Sequence, residues 1–257
     1  MASRTPRKLG RLIARLLGVV VLGGAVVGLG WLGWRWQAHT TVERVTVTGA
    51  QHAPADTLRT LARVDTGVAM GTLQPSLIAD RVARHPWVKT AAVHLRRFSQ
   101  TLEVAVTERV PAALAVDSRG EPAYYLDAAG YAMPLSDGAA YDVPLVHGLA
   151  ADFHPTQRLA PPSLRETLAA LSRVEDTDVL VAGIVMEDAQ AIRLLTEPIG
   201  AHNSIPVLVR PDSIAAQLRH LRAFARQVLA TRPEAPVGQI DLRFDGQIVT
   251  RQQPVDG

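Results

Sequence analysis

The chain has 257 residues, nearly half of them apolar, with 27 basic against 24 acidic side chains and no cysteine. That length and apolar content suffice for one or two compact cores, which excludes disorder throughout; the missing cysteines exclude disulfide frameworks, thiolate nucleophiles and cysteine-ligated zinc. The basic excess sits at the front: with Arg4, Arg7, Lys8, Arg11, Arg15 and Arg35 set aside, acids outnumber bases, and no long-range field is left to attract nucleic acid.

After a basic tail at 1–15, residues 16–34 carry no charged side chain. As a helix rising about 1.5 Å per residue, that run nearly spans the ~30 Å hydrocarbon core of a bilayer. Trp31, Trp34 and Trp36 cluster at its far end, where indoles suit a membrane interface. The run is longer than a signal-peptide core, and Trp34-Arg35-Trp36-Gln37 offers no small-x-small cleavage site. A retained transmembrane helix is expected over 16–36, its N-terminus cytoplasmic by the positive-inside rule and the remainder exported.

Beyond it, Val42, Val45 and Val47 mark a strand ending at Gly49. Residues 54–63, with Leu58 and Leu61, and residues 75–85, with Leu77, Ile78 and Val82, have helical spacing; Pro86 ends the second. Residues 87–95 and 101–108 form a strand pair turned at 96–100, with Leu102, Val104 and Val106 alternating against polar neighbours. The order is β-α-α-β-β. Two helices cover one face of a three-stranded sheet and leave the other face or an edge to a partner. Glu108 and Arg109 read as a surface pair of little energetic weight.

Three segments, Val45-Thr46-Val47-Thr48-Gly49, His85-Pro86-Trp87-Val88 with Ala92-Val93, and Val106-Thr107-Glu108-Arg109-Val110-Pro111-Ala112, resemble the POTRA domain of the bacterial division proteins FtsQ and DivIB. At the hairpin, Arg97-Phe98-Ser99-Gln100 departs from that family's Arg-x-Trp-Pro-like turn.

Past Pro111, short apolar runs alternate with turn signals at 117–120, 127–130 and 136–138. Tyr124-Tyr125-Leu126-Asp127 before Gly130, and Pro144 to Gly148, resemble segments of the same family. A helix capped by Ser163 is expected over 163–174, then strands over 179–186, 191–196 and 205–210. A long helix capped by Asp212 or Ser213 should reach Ala230. The closing strands, 238–245 and 246–251, meet at an Asp-Gly turn, and Ile240-Asp241-Leu242-Arg243-Phe244 resembles the family's terminal strand. The expected fold is α+β: the transmembrane helix, a β-α-α-β-β POTRA domain over 41–110, a mostly antiparallel β domain with flanking helices over 111–251, and a tail at 252–257.

The resemblance implies a non-enzymatic scaffold of the divisome in the cell inner membrane at the septum, single-pass and type II. It implies FtsB- and FtsL-like partners outside the cytoplasm, recruitment of septal peptidoglycan machinery, and no cofactor or small-molecule substrate. By position it transfers partner contacts to Arg243, Phe244, Gly246, Ile248, Val249 and Arg251, and secondarily to Thr90, Val93 and Leu95. Of the alternatives, an outer-membrane assembly or secretion factor would need barrel strands that the sequence lacks. An envelope hydrolase built on Asp127 and Asp241 has no supporting motif: there is no Walker loop, G-x-S-x-G, H-E-x-x-H or S-x-x-K. His85 and His94 have no metal-ligand partner at helical spacing and read as packed or solvated imidazoles.

Overall fold

The computed structural model describes residues 17–31, 33, 40–136, 138, 140–173, 181–189, 191–199, 202–232, 236–244 and 246–252. Outside them lie the basic tail, residues 16, 32 and 34–36 of the expected membrane span, Val174 and residues 179–180 of two expected elements, the aspartates Asp137 and Asp245 of two turn signals, and the end of the C-terminal tail. Residues 17–31 form a helix, α1, in which every residue is exposed. Among the described residues no helix is long and apolar enough to cross a membrane.

The first sheet has the order β1-β3-β2, built from β1 (Arg44–Thr48), β2 (Val88–Arg96) and β3 (Thr101–Glu108). β1 runs parallel to β3 while β2 pairs with it antiparallel, so a strand from the start of the domain fills the edge opposite the hairpin. The helices α2 (Ala55–Ala62) and α3 (Pro75–Val82) cover one face, meeting Leu102, Val104 and Val106 with Leu58, Ile78 and Val82. The other face carries Ala92, His94, Glu103 and Thr107, as the alternation requires. Pro54 takes the N-cap of α2, one place earlier than a first-turn proline, and α3 ends at Val82, three residues short of the expected end at His85. Gly49 turns the chain with φ 81°, and a Cβ there would stand 2.2 Å from the Val106 carbonyl oxygen, so the strand end needs glycine.

The second sheet has nine strands in the order β12-β11-β10-β9-β8-β7-β4-β5-β6. These are β4 (Pro111–Val116), β5 (Pro122–Asp127), β6 (Ala132–Met133), β7 (Leu145–His147), β8 (Val181–Met186), β9 (Ile192–Thr196), β10 (Pro206–Leu208), β11 (Val237–Asp241) and β12 (Val249–Gln252). Most neighbours are antiparallel, but β4 with β7, β7 with β8 and β10 with β11 run parallel, a mixture that alternating runs and turns do not reveal. Helices α4 (Pro162–Leu171) and α5 (Ile214–Phe224), the latter continued by a π-helical turn (Ala225–Leu229), place Leu164, Leu168, Leu218, Leu221 and Leu229 on this sheet's main core.

Two caps differ from expectation. Ser163 lies inside α4 and its hydroxyl donates to the Ala189 carbonyl at 2.7 Å, because Pro161 already occupies the N-cap. Ser213 stands at the N-cap of α5 but makes no side-chain cap bond; a short 3-10 turn (Pro211–Ser213) precedes the helix, and the Ser213 hydroxyl accepts from Gln217 at 2.6 Å.

The two sheets share apolar packing. Tyr125 and Met133, from β5 and β6, are buried in the same cluster as Trp87, Leu102 and Val104, and Leu114, Tyr141 and Val143 pack against it. Removing side chains of this size from water stabilises by about 1.5–3 kcal/mol each, which is a strong reason for the two parts to stay together.

Candidate partner-binding surface

The sequence places its principal candidates at the end of the chain, and there the structure puts a free sheet edge. β12 pairs antiparallel with β11, Ile240 opposite Thr250 and Asp241 opposite Val249, and no described strand flanks its other side. All four of its residues are exposed. Such a strand offers a row of main-chain donors and acceptors that another extended segment can satisfy.

The segment leading into the edge is held firmly. Leu242 is buried and its N–H donates to the Leu208 carbonyl at 3.0 Å. Asp241, also buried, receives the backbone N–H of Arg243 at 3.0 Å, and its two oxygens receive the guanidinium at 3.0 and 2.7 Å. Hydrogen bonding from Arg243 holds the Asp241 carboxyl below the usual carboxylate range against the opposing effect of burial. Arg243 is therefore a bidentate clamp on its own strand as well as an exposed cation.

Phe244 follows at 53 % exposure, and the chain turns with Gly246 at φ 69° and the Gln247 N–H reaching the Phe244 carbonyl at 3.3 Å. Ile248 packs partly against the main core, whereas Val249 and Arg251 are exposed on β12. Six candidates thus gather on one hairpin. Within it, Phe244, Val249 and Arg251 face outward, and Ile248 and Arg243 hold the hairpin's shape.

The secondary candidates lie on β2, the edge of the other sheet. Thr90 is exposed, but Val93 and Leu95 are half-buried opposite Val104 and Leu102 and pack against the first core. Thr90 is an odd number of residues from both, so strand alternation puts it on the opposite face from the other two. No common side-chain surface unites the three.

Glu108 and Arg109 are not a surface pair. The Glu108 carboxylate accepts the backbone N–H groups of Gln51, His52 and Ala53 at 2.8–3.1 Å and the His52 Nδ1 at 2.8 Å. Burial pushes its pKa up, yet the hydrogen bonds from Ala53, His52 and Gln51 prevail and hold it down. His52 stacks on Trp87 with ring centres 4.7 Å apart, and its Nε2 meets the Tyr141 hydroxyl. Arg109 turns the other way, to Asp127, at 2.7 Å. The signal for these contacts was the Thr107-Glu108-Arg109-Val110-Pro111 segment itself, whose partners are too remote in the chain for spacing to identify.

An acid, an imidazole and a hydroxyl in line invite comparison with a nucleophilic triad. Here burial, followed by the charges of Tyr125 and Glu108, raises the Tyr141 pKa. The arrangement closes a joint between the two sheets. Asp127 and Asp241 are each tied to an arginine, and among the described residues no group of three or more histidine, aspartate or glutamate side chains could hold a metal ion.

Two family models match: residues 40–109 match the POTRA domain, FtsQ-type, and residues 111–251 match FtsQ/DivIB, C-terminal related. The chain is 55% identical over 251 residues to the cell division protein FtsQ of Salinibacter ruber, covering 96% of each chain. To the cell division protein FtsQ of Rhodothermus marinus it is 41% identical over 251 residues, covering 97% of this chain and 92% of the relative. A cell division protein FtsQ of Anaeromyxobacter sp. is 34% identical over 125 residues, 45% of this chain and 42% of that one.

Proposed function

The chain belongs to the FtsQ/DivIB family of bacterial cell division proteins, and within that family's divisome-scaffold role we propose that it captures FtsB- and FtsL-like partners through the free edge of β12. The contacts are those of Phe244, Val249 and Arg251, shaped by Arg243, Gly246 and Ile248, with Thr90 and the outer edge of β2 as a second contact zone. By holding these partners the protein helps to recruit septal peptidoglycan machinery, and it carries out no reaction itself.

In this reading residues 16–36 anchor the chain in the inner membrane, residues 1–15 stay in the cytoplasm, the domains at 41–110 and 111–251 lie outside it, and 252–257 form a tail. The support is the uncharged run from 17 to 31, helical and exposed on every side, since a helix apolar all round belongs in lipid or in a core. The single observation that carries the binding role is β12, which ends its sheet with four exposed residues. Capture of an FtsB-like partner from membranes by the full chain should weaken about tenfold on Phe244→Ala, the loss of an anchoring aromatic, with insertion and folding intact. Unchanged capture removes the assignment.

A further inference from the structure

The β2–β3 hairpin ends in a protruding aromatic. Phe98 is 95 % exposed, more than any other large apolar side chain among the described residues, and Gln100 closes the turn at φ 49°. Full exposure of such a side chain forgoes about 1.5–3 kcal/mol of burial, so a hydrophobic environment within reach would attract it.

The tip's place in the fold says which environment that is. The Gln100 carbonyl accepts the N–H groups of Glu43 at 2.8 Å and Arg44 at 3.3 Å, and Arg44 stands opposite Thr101 in the parallel pairing of β1 with β3. Phe98 therefore lies beside the point where the chain coming from α1 enters the first sheet. Residues 32–42 separate that point from the end of α1 and extend to at most ~40 Å. Arg97 adjoins Phe98, and Arg44 sits at the neighbouring strand start. Arg96 is held by Glu103 at 2.9 Å, and Glu43 is the other acid at this end.

We propose that the 97–100 tip is a second membrane contact: Phe98 enters the interface of the anionic bilayer that holds α1, with the exposed Arg44 over its headgroups. The inference rests on the membrane-anchor reading. One aromatic and one arginine would hold a soluble protein weakly, but the anchor raises the local concentration of bilayer to the millimolar range or above. Under that tether a weak contact fixes the tilt of the first domain, and with it the height at which β12 is presented.

Because the chain has no cysteine, Ser99→Cys creates one labelling site beside an intact Phe98. The labelled full chain is reconstituted into vesicles of phosphatidylcholine and phosphatidylglycerol, and quenching by a headgroup-proximal nitroxide lipid is measured. Thr250→Cys is the reference site. It lies on the last strand of the sheet, eight pairings from β6, or about 38 Å at ~4.8 Å per strand.

Quenching at position 99 should exceed that at 250 by about threefold and fall to the reference level after Phe98→Ser, as an aromatic-driven interfacial contact requires. Equal quenching at both sites, or quenching indifferent to Phe98→Ser, in a chain that resists carbonate extraction overturns the tip contact and leaves the anchor standing. Release of the chain by carbonate overturns the anchor reading and this inference with it.

Discussion

Arg109 donates to the Asp127 carboxylate at 2.7 Å across eighteen residues of chain, with its guanidinium 4.0 Å from the centre of the Tyr131 ring. The arginine ends the segment matching the POTRA model, and the aspartate belongs to the next. Asp127 is buried and Arg109 largely so, at 8 % and 13 % side-chain exposure. Asp127 is held ready for the arginine, since its other oxygen accepts the N–H groups of Ala129 and Tyr131 at 2.9 Å. The pair ties the turn that follows β5 to the end of β3.

Arg109→Ala should destabilise the full chain by about 3 kcal/mol, because it strands a buried carboxylate without its cation. Urea unfolding in detergent measures it. Adding Asp127→Ala should cost less than the sum of the two single substitutions, and strict additivity would show that the pair is not coupled.

Acidification should weaken the fold in two steps. The folded His85 pKa is lowered, first by burial and against the opposing charge of Glu108, so below about pH 6.5 the unfolded state takes up a proton that the folded state resists. Glu108 is also lowered when folded, so its contribution is complete above about pH 4.3 and is lost as pH falls through the depressed folded value. Glu108→Gln should flatten the lower step and cost about 1–3 kcal/mol at neutral pH. Melting temperature against pH for the two proteins decides it, and parallel curves below pH 4.3 would contradict the linkage.

Gly49→Ala should cost more than Gly246→Ala. Both glycines have positive φ, at 81° and 69°, but only at Gly49 does a Cβ collide with backbone, at 2.2 Å. A left-handed residue alone costs about 1 kcal/mol, and the collision should take Gly49→Ala past about 2 kcal/mol. Thermal unfolding ranks the two, and an equal cost would mean that β3 yields easily there.

Proline substitutions along β12 should alternate in effect. In an antiparallel edge strand successive N–H groups point in turn toward the neighbour and away from it. Among Val249→Pro, Thr250→Pro and Arg251→Pro, those removing an inward N–H should lower stability. Those removing an outward one should leave the fold intact and still abolish partner capture. Normal capture by every well-folded variant would eliminate strand addition through this edge.

Local chemistry made much of the architecture legible. The alternation of Leu102, Val104 and Val106, the helical spacing of Leu58 or Ile78, and Asp127 with Gly130 in its turn all act within a few residues, and each lies where its pattern places it. The same holds for the uncharged run that forms α1. Periodicity states which face of an element is buried.

It does not state what that face or a strand edge meets. The insertion of β7 between β4 and β8, the turning apart of Glu108 and Arg109, the bond from Ser163 to Ala189 and the loss of Val93 and Leu95 to the core all depend on neighbours tens of residues away. Sheet order sets those neighbours. The same strand sequence can close an edge or be buried beside another, so only the assembled sheet decides that β12 stands at an edge among the described residues.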